Sequence, residues 1–264
     1  MAIWPPKKPV VNATDDRLLA KVISPSEAKP RILLAVFAFN EGGKIRRTLS
    51  RIPVERDYDV LVFDDGSTDR SLDDVSTFGA IVLRHGINRG IGASMKRVFE
   101  HALEAHYDIV TIMAGNDKDE PTEIPRLIDP IVTGEWDFVQ GSRFLAGGGY
   151  GRMPAYRTIA TRVHPLLLSL LVQRCVTEST NGFRAFRTAI LRDPRINWRQ
   201  NWLNKYELEP YLLFKAYKLG YRVKEVPVTK IYPPKSLGYT KMKPVTGWWS
   251  ILRPLILLGL GLRT

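Results

Sequence analysis

The 264-residue chain has a single cysteine, Cys175. Neither an intrachain disulfide nor a thiolate metal cluster can be assembled from it, a pattern that fits a reducing compartment. Its four histidines, His85, His101, His106 and His164, fall at no metal-ligand spacing and beside no Ser or Cys nucleophile motif. They read as surface or packing residues. Long apolar runs are scarce too. Met1 to Pro30 mixes Pro, Lys, Asp and Ser without the apolar run of a signal peptide, so a short, loosely held extension is expected there. Tyr156 to Val176 is rich in Leu and Val but is broken by Arg157, Arg162, His164 and Pro165. The apolar segment from Trp248 to Leu260 is short and holds Arg253-Pro254 at its middle. Neither has the uninterrupted length of a membrane span, and the expected location is intracellular.

Acids are the other shortage, and it is uneven. Against 39 Lys and Arg the chain has 27 Asp and Glu, a net charge of +12. From Arg222 to Thr264 the only acid is Glu225, facing Arg222, Lys224, Lys230, Lys235, Lys241, Lys243, Arg253 and Arg263. Such a balance favours a polyanionic partner, whether phosphate, nucleic acid or anionic lipid. No nucleic-acid motif accompanies it, which argues against that partner. Paired Trp248 and Trp249 beside Lys235, Lys241 and Lys243 make the end of the chain resemble an interfacial segment facing anionic headgroups.

The 44% hydrophobic content permits a substantial core, and its distribution predicts an α/β fold. Short apolar runs at Ile32 to Phe39, Asp59 to Phe63, Ala80 to Leu83 and Asp108 to Met113 read as buried strands. Helices are expected at Lys44 to Arg51, after Asp69, and at Ala93 to Ala105. That alternation implies right-handed βαβ units and a parallel sheet, whose ligands bind beyond the C-terminal strand ends. The expected loops there are Asn40-Glu41-Gly42-Gly43, Asp64-Asp65-Gly66-Ser67-Thr68-Asp69, His85 to Gly92 and Ala114 to Pro121. A fifth strand, Phe138-Val139-Gln140, leads into Gly141-Ser142-Arg143. Beyond the Gly-rich stretch Ala146 to Gly151, helices are expected at Tyr156 to Val176 and Glu207 to Leu219, and a strand at Arg222 to Val228.

Adjacent Asp64 and Asp65 at a buried strand end are costly unless they bind something or cap backbone groups. Capping the next helix is the bland explanation. Acids on the neighbouring loop, at Asn40-Glu41, suggest instead acceptors for a nucleoside's base and ribose. The sequence here resembles the family 2 glycosyltransferases of the GT-A fold, in their dolichyl-phosphate mannosyltransferase-like branch. The likeness spans Arg31 to Lys241 and rests on Phe37-Ala38-Phe39-Asn40-Glu41, D-D-G-S-T-D at 64–69 and Asn88-Arg89-Gly90-Ile91-Gly92. It continues at Gly141-Ser142-Arg143, Thr180-Asn181-Gly182-Phe183-Arg184 and Glu225-Val226-Pro227.

This resemblance implies a GT-A, Rossmann-like, mostly parallel sheet flanked by helices and carrying a C-terminal amphipathic membrane-interface segment. It divides the chain into an extension at 1–30, a catalytic domain at 31–241 and a membrane-associating tail at 242–264. Residues 31–145 would take the nucleotide sugar and 146–241 the acceptor. Implied nucleotide contacts are Phe37, Phe39, Glu41, Asp64, Asp65, Asn88, Gly92 and Lys96. Ser142, Arg143, Arg184 and Lys241 would meet the acceptor or a phosphate, and Glu178 is the candidate base if the acceptor is a hydroxyl. The family's D-x-D, which holds Mg²⁺ or Mn²⁺ against the diphosphate, is here Ala114-Gly115-Asn116. A shifted site from Asn116, Asp117 and Asp119 is one expectation. The alternatives are metal-independent chemistry, with Lys118 and arginines offsetting the diphosphate, or a non-catalytic binding protein. The implied reaction moves a sugar from a UDP- or GDP-linked donor to a polyprenyl phosphate with inversion, or else to a sugar hydroxyl of a polysaccharide or glycolipid. The implied location is peripheral, on the cytoplasmic face of a membrane. A nucleotidyltransferase would need a Gly-rich, Arg-bearing loop after the first strand, and that loop is missing.

Overall fold

The computed structural model describes residues 29–234, 236 and 244–263, among which nine strands are interleaved with helices, seven of them in one sheet. The expected extension at 1–30 therefore lies almost wholly outside the described residues, as do Lys235, Lys241 and Lys243. β1 (Ile32–Ala38) is buried at every position, as its apolar run requires of a central strand. Beside it lie β2 (Asp59–Asp64) and β4 (Ile109–Ala114), and β3 (Ile81–Arg84) forms the outer edge. On the other side follow β7 (Arg184–Arg187), β5 (Phe138–Ser142) and β8 (Val223–Pro227), giving the order β3-β2-β1-β4-β7-β5-β8. Only β7 runs antiparallel, wedged between β4 and β5. The segments 31–145 and 146–241 thus share one sheet. A separate two-stranded sheet pairs β6 (Gly149–Gly151) with β9 (Thr229–Ile231).

Alternation along β1 splits the core into two layers. Ile32, Leu34, Val36 and Ala38 pack with α1 (Gly43–Ser50) and α3 (Ile124–Val132). Leu33, Ala35 and Phe37 face α2 (Ile91–Glu104) and the layer built by α4 (Ala155–Val172), α6 (Leu208–Lys218) and α7 (Pro244–Gly259). A one-turn helix, α5 (Ala189–Arg192), follows β7.

Several expectations need correcting. No α-helix follows Asp69; a single 3₁₀ turn at Val75–Phe78 stands there, because Ser67, Asp69 and Ser71 are spent holding the preceding loop. Helix α4 ends at Val172 rather than Val176, with Gln173 in the left-handed region, and it passes through Pro165 unbroken. The strand expected at Arg222 to Val228 is β8, Val223–Pro227, and β9 follows it at Thr229 in the second sheet.

The tail does not stand apart as a free interfacial helix. Leu255 and Leu258 of α7 are buried in the core cluster shared with α4 and α6, and Ile251 is buried as well. Its register is set partly by His164 on α4, whose Nε2 lies 3.2 Å from the Ile251 carbonyl and whose Nδ1 lies 2.7 Å from Ser179 Oγ. A carbonyl only accepts, so Nε2 carries the proton and Nδ1 accepts from the serine. Burial, the largest influence, pushes this imidazole down to about 4 from 6.5. Below pH 6.5 the unfolded chain gains a proton that the folded chain refuses until about pH 4, so stability falls across that window by roughly 3 kcal/mol. Urea midpoints taken across this range should drop accordingly, and His164→Gln should flatten that part of the slope.

Candidate active site

The site lies where three parallel strands end level with one another. Ala38 pairs with Asp64 across to β2, and Phe37 pairs with Ala114 across to β4. Glu41, Asp64, Asp65 and Asn116 consequently leave the sheet at one edge. The loops there are laced by side chains. Asn40 Oδ1 accepts from the backbone N–H of Thr68 at 2.8 Å and Asp69 at 3.3 Å, and Ser71 Oγ accepts from Glu41 N and Gly42 N at 2.7 and 2.8 Å.

Both buried aspartates are fully employed as backbone acceptors. Asp64, wholly buried, takes the N–H of Ser67 at 3.0 Å and that residue's hydroxyl, with Arg84 3.8 Å away. Asp65 takes Arg89 N at 3.0 Å and Gly90 N at 2.8 Å, and its Oδ1 lies 2.8 Å from His85 Nδ1. Asp65 thus ties the tip of β2 to the entrance of α2, not to a helix of its own. Gly66 between the two loops must be glycine: its φ is +78°, and a Cβ would sit 2.5 Å from the Ile87 carbonyl carbon.

The other expected nucleotide contacts differ in their surroundings. Lys96 donates to Gln200 O at 2.7 Å and Asn204 Oδ1 at 2.6 Å, pinning the 199–204 loop rather than a ligand. Gly92 packs under the same loop, where a Cβ would meet Leu203 O at 2.1 Å. Phe37 is buried against Phe63, Phe39 is half-buried at the strand end, and Asn88 is exposed.

On the far side of the sheet, Glu178 is not placed to act as a base. It is fully buried, and one carboxylate oxygen accepts from Ser179 N, Thr180 N, Thr180 Oγ1 and Asn181 N at 2.8–3.1 Å. The other takes Arg143 Nε at 2.6 Å. Arg143 is itself buried, its remaining nitrogens on Thr180 Oγ1 and Met153 Sδ. Arg184 donates to the carbonyls of Asn181 and Glu209, and Ser142 shares a hydrogen bond with Thr177 Oγ1. These three of the four expected phosphate or acceptor contacts are bonded within the framework around β5 and β7. The fourth, Lys241, lies outside the described residues.

The expected metal ligands do not assemble either. Asp117 adopts φ 62° and turns to Arg47 and Arg51, at 2.7 and 2.8 Å. One oxygen of Asp119 is bonded to Lys230. Asn116 brings a neutral, buried Oδ1. Among the described residues no three His, Cys, Asp or Glu side chains lie close enough to share a metal ion.

Cations gather instead. Lys118 is buried, with its ammonium 4.6 Å above the Tyr232 ring, which Arg157 approaches to 5.8 Å. Burial first, then Lys230 and Arg157, push the Lys118 amine down to about 7 against the opposing pull of Glu41 and Asp119. Tyr206 belongs to the same cleft: burial raises its hydroxyl, Glu209 and Glu41 add to the effect, and Arg157 opposes it. Lys230, Arg157, Tyr206 and Tyr232 were not foreseen. The only hint was Lys230 as a lone cation in the apolar run Val226 to Tyr232.

The glycosyl transferase family 2 pattern matches residues 34–195, more than half of the chain. The protein belongs to that family. Undecaprenyl-phosphate mannosyltransferase of Micrococcus luteus is 29% identical over 80% of this chain and 87% of its own length. A UDP-N-acetylglucosamine–dolichyl-phosphate N-acetylglucosaminyltransferase of Methanococcus voltae is 25% identical over 78% of this chain and 88% of its own. Among solved structures, glucosyl-3-phosphoglycerate synthase of Mycobacterium tuberculosis, in complex with Mn²⁺, UDP and phosphoglyceric acid, superimposes with a TM-score of 0.65. That match covers 89% of this chain and 80% of the other at 20% identity, and it shows the shared fold.

Within this family member, Glu178 serves to hold Arg143, so neutralising it should be a stability defect. Glu178→Gln leaves a buried guanidinium without its counter-charge at a cost of roughly 3–5 kcal/mol. Denaturant unfolding of the variant should show that loss.

Proposed function

We propose that the chain transfers a sugar from a nucleotide-diphosphate sugar, UDP- or GDP-linked, to a polyprenyl phosphate with inversion at the anomeric carbon. The observation that carries this reading is the level ending of β1, β2 and β4, from which the loops bearing Glu41, Asp65 and Asn116 leave at one edge of the sheet. Family membership and relatives named for lipid-phosphate acceptors support it. In the reaction a phosphate oxygen of the lipid attacks the anomeric carbon opposite the nucleotide diphosphate. A carbon–oxygen bond forms on one face as the bond to the diphosphate breaks on the other. A phosphate acceptor is already ionised and needs no base, which agrees with Glu178 having both oxygens engaged. Transfer to a sugar hydroxyl would need a carboxylate that Glu178 does not supply.

The acceptor reading also accounts for the outer face of α4. Tyr156, Ile159, Val163, Leu166 and Leu170 recur at helical spacing and are exposed, Leu170 at 78%. Arg162 is exposed on the same helix and Arg174 just beyond its end, where an open hollow of about 510 Å³ is lined by Leu166, Leu170 and Cys175. α7, packed beside it, exposes Trp249 and Ile256, and Leu260 and Leu262 are exposed just after it. Among the described residues no helix is long and apolar enough to cross a membrane. The two helices together suit peripheral seating on an anionic bilayer, apolar side chains in the interface and arginines at the headgroups.

Two measurements test the proposal. With a panel of UDP- and GDP-sugars and a polyprenyl phosphate, one donor should yield a lipid-linked sugar of the opposite anomeric configuration by NMR. Asp65→Ala, which strands the N–H groups of Arg89 and Gly90, should abolish nucleotide binding in calorimetry; a normal affinity would refute the site. Because Leu255 is core, the membrane test uses the surface: Ile159→Asp with Leu166→Asp should release the protein from anionic liposomes without lowering its melting temperature. Unchanged sedimentation of that double variant with the liposomes would overturn the seating.

A further inference from the structure

The family resemblance predicts a divalent cation at the end of β4, and the residues there do not fit one. Ala114 has no ligand atom, Asn116 is neutral, and Asp117 is bound to two arginines. Asp119, the remaining acid, is committed through one oxygen to Lys230. A diphosphate set against this strand tip still needs positive charge, since an uncompensated polyanion in a partly buried cleft is strongly disfavoured.

Positive charge is present in a fixed arrangement. Lys118 follows Asn116 by two residues and is only 9% exposed, yet among the described residues its ammonium makes no hydrogen bond or ion pair. Its backbone is pinned: the carbonyl accepts from Ile231 N at 2.8 Å, and the next residue bridges to Lys230. Swinging into solvent is therefore not open to this segment. Around the ammonium stand Lys230 and Asp119, Arg157 from α4, Tyr232 and, from the β1 loop, Glu41. Lys230 is offset by Asp119, and Glu41 is paired with Lys44 at 2.7 Å. Among the described residues Lys118 remains as a buried amine set over an aromatic face and bonded to no carboxylate; an anion brought against it would oppose the burial and the neighbouring cations that lower its basicity, and so hold it protonated with its N–H donors available.

We propose that Lys118, flanked by Arg157 and Lys230, is the anion-binding centre that takes the phosphoryl oxygens of the donor's diphosphate in the position where relatives with intact carboxylates place a metal ion. This rests on the nucleotide-donor reading above. It goes beyond that reading by assigning the charge compensation to the chain's own side chains. A phosphate of the lipid acceptor presents the same chemistry, and the test separates the two.

The experiment is calorimetry of the whole protein with UDP, GDP, inorganic pyrophosphate and farnesyl phosphate, each in EDTA and in Mn²⁺, using wild type, Lys118→Met and Lys118→Arg. UDP or GDP should bind in EDTA, Lys118→Met should weaken that binding roughly 10- to 100-fold, and Lys118→Arg should restore part of it. Replacing a buried, unpaired ammonium by an apolar chain of similar length should leave the melting temperature unchanged or higher, so lost binding would not reflect misfolding. Nucleotide binding that vanishes in EDTA and returns with Mn²⁺, or that is indifferent to Lys118→Met, would overturn the proposal while the donor reading stood. A defect confined to farnesyl phosphate would also overturn it. If neither nucleotide bound at all, the donor reading would fall, and pyrophosphate would decide the anion centre alone: binding lost in Lys118→Met upholds it, and no binding removes it.

Discussion

The structure depends first on how two carboxylates are kept at the tip of a buried strand. Asp64 and Asp65 are 0% and 5% exposed, and burial on that scale is tolerable only because backbone N–H groups surround them. The bonds from Asp65 to Arg89 and Gly90 close the third loop onto the second, and Asn40 closes the first onto the same turn. A mouth is thereby fixed at the C-terminal edge of β1, β2 and β4 before any ligand arrives. Such preorganisation lets loop residues present a defined surface to a ligand with little ordering cost on binding.

A second constraint joins the β5–β7–β8 side of the sheet to that mouth. β7 enters antiparallel between β4 and β5, so the strand carrying Arg184 lies directly beside the strand that ends at Ala114. The segment from Lys118 to Asp119 is then fastened to β9 by backbone bonds and by the Lys230 ion pair. Acids that in isolation resemble ligands are drawn into this joinery. Glu178 aligns Arg143, Glu225 takes the backbone of Thr177 and Glu178, and Glu209 is buried against Arg184 with its carboxyl held above the usual range by burial. The cleft loses carboxylates and keeps cations, which is the electrostatic character that a polyanionic substrate requires.

The C-terminal segment shows how one helix can satisfy two environments. Leu255 and Leu258 are buried against α4 and α6, and Ile251 is buried as well, while Trp249, Ile256 and Leu260 remain outside. Hydropathy summed along the segment cannot separate these faces, because both are apolar. Contact with α4 decides which residues are core, and the outer stripe of α4 emerges as surface from the same packing.

The sequence alone determined the parallel βαβ half, the strand-end loops and the family, because those rest on local signals. Apolar runs of strand length, Gly66 at a left-handed turn and an acidic pair followed by Ser and Thr all express their chemistry within a few residues. Tertiary structure decided everything that depended on a partner distant in the chain. Asp119 is drawn through one oxygen to Lys230, Glu178 to Arg143, and Lys96 to the loop at Asn204, and none of these pairings could be read from nearby sequence. A short charged side chain has the same reach and the same acceptors whether it meets a ligand or another residue of the chain. Only the packing of the sheet determines which of them it meets.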